Sequence, residues 1–530
     1  MQEIKYLTSF IKKEKWYVCA NKMANEESSK INYGKGIVPK HLIFINGVKM
    51  DLGNDIDIEY DLDFTYYFGS FNLPDVNKLN INKSTKTILN DIKFLDSIII
   101  YYGEFSTRDE ANSADYNNMT KIVDGYISDV IANETRDGAL DRTIEFKSMM
   151  GLAYENPLRF DIIITDCATT ILSALLGIGL IVDSTAALES YQDAVILAQN
   201  TSPTKIGNKY VYTFNTQQSL VEENNELFDN LKLTDNYVEF KKRDAFIDKI
   251  IFDEFTHDKN FIVKANTTTN VGEAFDSIKK NHAVKIFQTP DGTLNIVTPG
   301  YFYANNITAI DFDVKTTIQN INFGGLNNIY NAVVVYGTGC VGFAFDPISY
   351  ELALPQAVKN SKTPITGVDA DGNFTYKSGF TPDLRYLNYK SLFRRNIENP
   401  FVAYNTAINE LYEISKNAKI SFNTIFSAKI YPGRFFRINN SQYLRNLLLK
   451  SFDYDEVVAQ AKANEQIWII KNVKVKISKN DIGCTVIGYK NAIVDIPAEL
   501  IIPNNGDGMS ILDINLLSGL SKSANDIVLH

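Results

Sequence analysis

The sequence predicts an α+β, β-rich fold: two small antiparallel β-barrel-like domains with an intervening α+β domain and insertions. Three observations predict it. From Leu95 to Tyr154, β-branched and aromatic residues crowd into the segments Leu95 to Gly103, Ile122 to Ile131 and Leu140 to Lys147, with Asp137-Gly138 between the last two. That is a β-meander with an Asp-Gly hairpin turn, and the alternation of Ile144 and Phe146 with Thr143, Glu145 and Lys147 gives it one buried and one outward face. Comparable strand text returns from Ile310 and runs to Tyr489. Between the two, Val271, Ala274, Phe275 and Ile278 fall at helical spacing behind an Asn270/Glu273 capping pattern.

Taken in order, residues 1–39 read as a solvated arm with Lys12-Lys13-Glu14-Lys15. The first barrel-like domain, 40–156, opens with a strand from His41 and an Asn46-Gly47 turn, then a second strand from Ile56 to Tyr67 with alternating acids, then the meander. Pro157 marks the boundary of an α+β domain with a helical insertion, 157–305. It starts with strand Phe160 to Ile164, helix Cys167 to Leu176 capped by Thr165 or Asp166, and strand Ile178 to Val182. Leu188, Tyr191, Val195 and Ala198 outline an amphipathic helix, and Leu220 to Leu233 another. Strand Phe261 to Lys264, the Val271 helix and a hairpin turning at Thr289-Pro-Asp-Gly-Thr293 complete the domain.

The second barrel-like domain comprises 306–345 and 401–490, interrupted by a polar, turn-rich insertion at 346–400. Its text gives strands from Ile310 and from Asn331 to Gly337, then a helix through Tyr404, Ala407, Ile408, Leu411 and Ile414. A long strand, Lys419 to Ile430, precedes the Pro432-Gly433 turn and strand Arg434 to Ile438; one helix between Tyr443 and Ala463 leads to strands Trp468 to Ile477 and Cys484 to Tyr489. Residues 491–530 form a C-terminal tail or plug with apolar Ile511, Leu512, Ile514, Leu516, Leu517 and Leu520.

Composition narrows the function classes. A chain of 530 residues, 45% apolar and 22% charged, has ample core for several globular domains, and 29 Tyr and 32 Phe against 2 Trp favour β-structure. The net charge of -10, without a long basic run, disfavours a protein that grips nucleic-acid phosphates but suits a surface past which DNA slides. Cys19, Cys167, Cys340 and Cys484 lie far apart with no C-x-x-C pair, so reduced thiols are expected, and no secretory signal is visible at the N-terminus. The uncharged run Ala168 to Val182 is 15 residues long, short of the ~20 a spanning helix needs, so no stable membrane insertion is expected.

The motifs that suggest chemistry fail on context. Gly337-Thr-Gly339-Cys-Val-Gly342 follows a strand, but Pro347 arrives too soon for the helix that a dinucleotide site needs, so a bent strand or bulge is expected. Asp369-Ala-Asp371-Gly372 lacks the glycine and glutamate of a calcium loop, with Phe374 and Phe380 in their places, and reads as an Asp-Gly turn. His41, His257, His282 and His530 have no companion at ligand spacing, and no H-E-x-x-H or G-x-S-x-G occurs. No catalytic, cofactor-binding or metal residue is assigned, and no cofactor is expected.

In the order of its segments the chain resembles the baseplate hub proteins of phage tails, including the late control protein D group and the hub-like part of type VI secretion spikes. The resemblance starts at Phe44-Ile-Asn-Gly47 and Asp96-Ser-Ile-Ile-Ile-Tyr-Tyr-Gly103, and is best at Asp124-Gly125-Tyr126-Ile127 and Thr143-Ile-Glu-Phe-Lys-Ser148. It continues through Phe275-Asp-Ser-Ile278, Asp291-Gly-Thr-Leu294, Asn331 to Gly337, Pro432-Gly433 and Ile469-Ile-Lys-Asn-Val473. Phe146-Lys147 stands where the family often has Gly-Arg, and the insertions at Asp183 to Asn260 and Asp346 to Pro400 are long.

The resemblance implies a non-enzymatic structural hub at the tail tip of a phage or phage-like injection device. It implies a homotrimer whose six β-units form a ring joining the tail tube to the central spike, with other baseplate proteins as partners and DNA or effector only as passing cargo. The location it implies is the virion tail, after assembly in the host bacterial cytoplasm. Two other readings stand beside it. One is a receptor- or glycan-binding tail protein using Tyr350, Phe374, Tyr376, Tyr386, Tyr389 and Phe393; the other is a peptidoglycan-cleaving tail enzyme with a carboxylate pair.

Overall fold

The computed structural model describes most residues between Ser29 and Lys490. Outside the description lie 1–28, 491–530 and internal stretches, the longer being 31–37, 51–54, 79–82, 135–139, 157–161, 182–190, 220–241, 265–269, 298–308, 325–329, 346–349, 369–373, 377–381, 399–402, 415–418 and 479–481. The fold is α+β and β-rich, dominated by a curled 14-stranded sheet.

The N-terminal half of this sheet is antiparallel throughout. Its spatial order is Ile56–Asp61, Phe68–Leu73, Leu140–Ser148, Thr120–Glu134, Ser97–Phe105, Val38–Ile45 and Val48–Met50. The C-terminal half contains Ile310–Asp313, Asn320–Gly324, Lys419–Ile425, Phe435–Asn439, Ile467–Ile477 and Ile482–Lys490. Ile310–Asp313 runs parallel to Phe436–Asn439, and Ser29–Lys30 is added parallel to it.

One strand fuses the halves. Ile467–Ile477 pairs along one edge with Ile482–Lys490, whereas its other edge is divided: Ile467 to Ile469 face Phe435 to Arg437, and Asn472 to Ile477 face Ile56 to Asp61. The register shifts between Ile470 and Asn472, so Lys471 is the extra residue of a bulge at the point where the strand changes partner. Period-two alternation turns Ile56, Ile58 and Tyr60 inward beside Val473, Val475 and Ile477. Phe71, Ile144, Phe146, Phe312, Phe422, Phe436 and Trp468 join them, so residues of both halves lie in one contiguous core. Tyr102 Oη crosses that core to donate to the carbonyl of Phe426 at 3.1 Å.

Several expected elements change at their ends. The strand expected over Ile56 to Tyr67 stops at Asp61, turns through residues 62–66 and resumes as Phe68–Leu73. Ile178 to Ile181 is turn and bend rather than strand, with Gly179 at φ 74; Val182 lies outside the described residues. Lys419–Ile425 ends five residues before Ile430, and two helices, Gln442–Ser451 and Glu456–Glu465, replace the single one expected. These breaks follow tertiary packing rather than propensity, since Ser427 and Ile430 close a backbone turn at 2.9 Å and both are buried. The Asp137-Gly138 turn, the helix at Leu220 to Leu233, the Asp369 turn and the C-terminal tail fall outside the described residues, as does the arm except for Ser29–Lys30 and Val38–Pro39, which lie in strands of the large sheet rather than in a solvated segment.

Between the halves, a five-stranded sheet is ordered Thr204–Ile206, Lys209–Thr213, Lys249–Asp253, Leu294–Val297 and Lys285–Gln288. Ile162–Asp166 pairs with Asn260–Lys264, and helix Cys167–Gly177 starts on an Asp166 cap that accepts the Thr169 amide at 2.8 Å. Helix Val271–His282 carries the reciprocal cap foreseen from spacing: Glu273 N donates to Asn270 Oδ1 at 2.7 Å, and Asn270 N to Glu273 Oε2 at 3.2 Å. Ala332–Tyr336, Val341–Phe345 and Tyr389–Phe393 form a separate three-stranded sheet. Among the described residues no helix is long and apolar enough to cross a membrane.

The helix Val271–His282 reaches the first half through a glycine contact. A Cβ on Gly272 would sit 2.4 Å from the Tyr154 ring, so only glycine lets the helix lie against it. Gly272→Ala is expected to destabilise the chain by about 1–3 kcal/mol through overpacking. In a Tyr154→Ala background the same change should cost much less. Thermal melts of the four proteins of this cycle check the coupling; equal costs in both backgrounds would refute the contact.

Candidate functional site

The residues that connect the two sheet halves with the α+β unit gather on one segment, Leu62 to Phe68, which carries the chain between Ile56–Asp61 and Phe68–Leu73. Its side chains alternate in destination. Thr65 and Tyr67 are buried, whereas Phe64 and Phe68 are 47% and 37% exposed with Tyr66 half-buried between them.

The inward side is polar and held from several elements. Asp63 Oδ1 accepts Lys285 Nζ at 2.7 Å, and its Oδ2 lies 3.2 Å from Lys471 Nζ, the bulge residue. Lys279 Nζ donates to the Asp63 carbonyl and to Thr65 Oγ1, each at 3.0 Å. Tyr154 Oη donates to Asp276 Oδ1 and accepts from the Thr65 hydroxyl, each at 2.9 Å. The α+β unit is therefore tied through Lys279, Lys285 and Asp276 to the turn where the sheet halves meet. Asn472 adds hydrogen bonds to Glu59 at 2.8 Å and Asp61 at 3.0 Å across the seam. Burial holds the Asp61 carboxyl above its ordinary value against the pull of its hydrogen bonds and Lys471. Burial lowers Lys471, but Asp63 and Asp61 outweigh it and raise its ammonium above the usual value.

A second tie lies further along the sheet. Tyr67 Oη accepts the Asp124 amide at 2.7 Å and donates to its carbonyl at 3.0 Å, and the Asp124 carboxylate pairs with Lys121. The Thr289 to Thr293 turn, with Gly292 at φ 93, comes so near that a Cβ there would be 3.5 Å from Asp124 Oδ2. Asp291 closes that turn by accepting the Thr293 amide at 3.2 Å.

The outward side is an open face across the seam. Cross-strand register sets two rows on it: Lys474, Glu59, Phe68, Lys147 and, beside them, Lys476, Asp57, Ser70, Glu145, Asp129. All of these but Lys476 and Asp129 line a cleft of about 580 Å³, together with Ile58, Gly69, Phe146, Val475, Tyr66 and Ser128. Glu59 pairs with Lys474 at 3.1 Å and Lys147 with Glu155 at 3.2 Å. Tyr66 packs edge-on to Tyr154 at 5.2 Å, and Phe64 lies 6.3 Å from Phe68. Such a face, with apolar rings among charged side chains only some of which are paired, is suited to holding a partner.

The motifs that resemble chemical sites stay apart from it. Gly337 to Cys340 connects Tyr336 to Val341 as a hairpin loop, with Gly339 at φ 74, and a strand follows where a nucleotide site needs a helix. The expected bend is thus a reversal of the chain. His257 stacks on Tyr210 with centroids 3.9 Å apart, its Nε2 lying 2.8 Å from Tyr212 Oη, while His41 lies in the Val38–Ile45 strand and His282 ends its helix. Among the described residues no group of three His, Cys, Asp or Glu is arranged to hold a metal ion. Cys167, Cys340 and Cys484 are buried and form no disulfide. In the insertion, Tyr350 is fully buried, Tyr386 and Tyr389 are half-buried, and Phe393, 48% exposed, stacks on Tyr336. Sequence reasoning missed the outward face because cross-strand rows follow from register. The one visible signal was Phe68, apolar at a position whose neighbours Ser70 and Asn72 are polar.

No family model matches the sequence, and no curated protein matches it. Solved structures similar to the chain include the 43 kDa tail protein of prophage MuSo2 from Shewanella oneidensis, at TM-score 0.44 and 8% identity over 86% of this chain and 99% of that one. A tail protein from Neisseria meningitidis MC58 aligns at TM-score 0.46 and 8% identity, covering 87% and 99% of the two chains. The E. coli c3393 protein, a component of the type VI secretion system, aligns at TM-score 0.38 and 6% identity over 87% and 78%. With every TM-score below 0.5, no residue role is carried over from them.

Two outcomes test the polar side of the seam. Asp63→Asn should cost about 2 kcal/mol, since it leaves partly buried ammonium groups without their anion, and should speed amide exchange in Val271–His282 before it does so in Lys419–Ile425. Equal exchange in both proteins would exclude the tie. The raised Asp61 carboxyl implies stability present below the unfolded value of about 4 and lost as pH rises through the folded value. The melting temperature of Asp61→Asn relative to the parent should accordingly be highest at neutral pH and decline on acidification; a flat difference would contradict it.

Proposed function

We propose that the chain is a non-enzymatic structural hub at the tail tip of a phage or phage-like injection device. The observation that carries this reading is the fusion of two β-units edge to edge through Ile467–Ile477 over a shared core. Several segments of the resemblance fall on that sheet. Gly125, Tyr126 and Ile127 pair in register with Ser148, Lys147 and Phe146, and Ile469 to Val473 includes the bulge that joins the units.

On this reading three chains build a ring of six β-units, about Lys40 to Tyr154 and Ile310 to Tyr489 in each. The ring joins the tail tube to the central spike, contacts other baseplate proteins, and lets DNA or effector pass. The α+β unit serves as a bracket on its outside. The net charge of -10 supports a passage that does not retain DNA. The work is assembly and channel opening, in a virion tail put together in the bacterial cytoplasm. The buried Tyr350 and half-buried Tyr386 and Tyr389 are poorly placed for stacking on a sugar, which weighs against their part in the glycan-binding alternative.

Mass measurement and low-resolution imaging test the proposal. With tube and spike partners present, the chain should enter a three-fold ring, and purified chain should produce no clearing in a peptidoglycan zymogram. A stable monomer that joins no ring in their presence, or clear lysis by the parent chain, would overturn it.

A further inference from the structure

We propose that the outward face around Phe68 is a docking surface for a basic, arginine-bearing segment of a protein partner. The inference rests on this face alone and holds whatever assembly the chain serves. Its first ground is a mismatch between residue type and position. Strand alternation turns Phe68 to the same side as Ser70 and Asn72, and Phe64 and Tyr66 join it, so the solvent side of a sheet carries an aromatic cluster. Rings left in water at the rim of a 580 Å³ cleft mark a surface that another molecule covers.

The second ground is charge. In the row of Glu59, its carboxylate is matched by Lys474, and Lys147 is matched by Glu155. In the neighbouring row, Asp57, Glu145 and Asp129 face a single cation, Lys476. Among the described residues neither Asp57 nor Glu145 has an ion-pair partner, and register sets Glu145 directly opposite Asp129. Like charges opposite one another on a sheet are unfavourable until a cation intervenes. The surplus is negative, so nucleic acid and anionic lipid are repelled, and a basic protein segment is attracted.

The third ground selects arginine over lysine. A planar guanidinium lies flat on an aromatic ring while its edge offers donors to a carboxylate; Phe68 stands in the row next to Ser70, and it is Ser70 that register sets between Asp57 and Glu145. A lysine ammonium satisfies the carboxylates but leaves the ring uncovered. Because the cleft is lined by residues of both sheet halves, Asp57 to Lys147 on one and Lys474 on the other, an occupant bridges the seam.

The experiment uses the full chain and fluorescein-labelled octapeptides of alternating threonine with arginine, lysine or glutamate. Fluorescence anisotropy should show the arginine peptide binding about tenfold more tightly than the lysine peptide, with no binding of the glutamate peptide. Phe68→Ser should remove the arginine preference, and Asp57→Asn with Glu145→Gln should weaken both basic peptides by about tenfold. Glu134→Gln, an exposed acid on the same sheet outside the cleft, should change neither, and all variants should keep the parent melting temperature. Equal binding of the two basic peptides, or binding untouched by the cleft variants, would reduce the effect to general attraction to an acidic protein and overturn the proposal. Self-association of the parent chain that Phe68→Ser abolishes would also overturn it, by making a second copy the occupant.

Discussion

The divided edge of Ile467–Ile477 is the constraint on which the rest of the structure depends. A strand offers two rows of backbone hydrogen-bonding groups, and leaving one row unpaired inside a protein costs more than pairing it imperfectly. Here the second row is shared, first with Phe435 to Arg437 and then with Ile56 to Asp61. Lys471 absorbs the change of partner as a bulge. Two segments separated by about four hundred residues thereby become neighbours, and the side chains on their inner face fuse into one core. Either half taken alone would expose an edge and half of that core.

The same bulge explains why charge collects at the seam. A residue extruded from the ladder points its side chain away from the regular pleat, and Lys471 meets Asp63 there. Lys285 reaches the same carboxylate from the α+β unit, and Asn472 spans the first two strands. Asp61 bears the cost of partial burial, visible in its raised carboxyl, while the lysines around Asp63 spread the compensation over several elements. Polar groups of this kind set how three units sit together more than they add stability, because much of their attraction is offset by lost hydration.

The seam presents two unlike sides. Tyr60 and Tyr67 donate to backbone carbonyls, and burial pushes the phenols of Tyr60, Tyr67 and Tyr489 upward, so these groups stay neutral. The open face across the seam stands in contrast, with exposed rings and an acidic surplus. Its position lets an occupant hold both sheet halves, which accords with a structural role in a larger assembly.

Much of the fold was legible in the sequence where the signal is local. The Asn270/Glu273 cap, the Asp166 cap, the turns at Thr289 to Thr293 and Pro432-Gly433 and the alternation of Ile144 and Phe146 each depend on a few adjacent residues, and each appears in the structure. Strand ends were less legible: Ile56 to Tyr67 reads as one continuous strand with alternating acids, and the local turn in which the Asp61 carboxylate accepts the Asp63 amide is not evident from that pattern. The turn is also held from a distance, since Leu62 N donates to the carbonyl of Lys471, the bulge residue of a remote strand. The outward face was hidden for the same reason. Sequence determined that Phe68, Asp57, Glu145 and Lys474 are present and which side of its own strand each occupies; only tertiary structure decided that those strands are neighbours, because pairing of distant strands rests on the sum of core packing and edge satisfaction across the whole sheet.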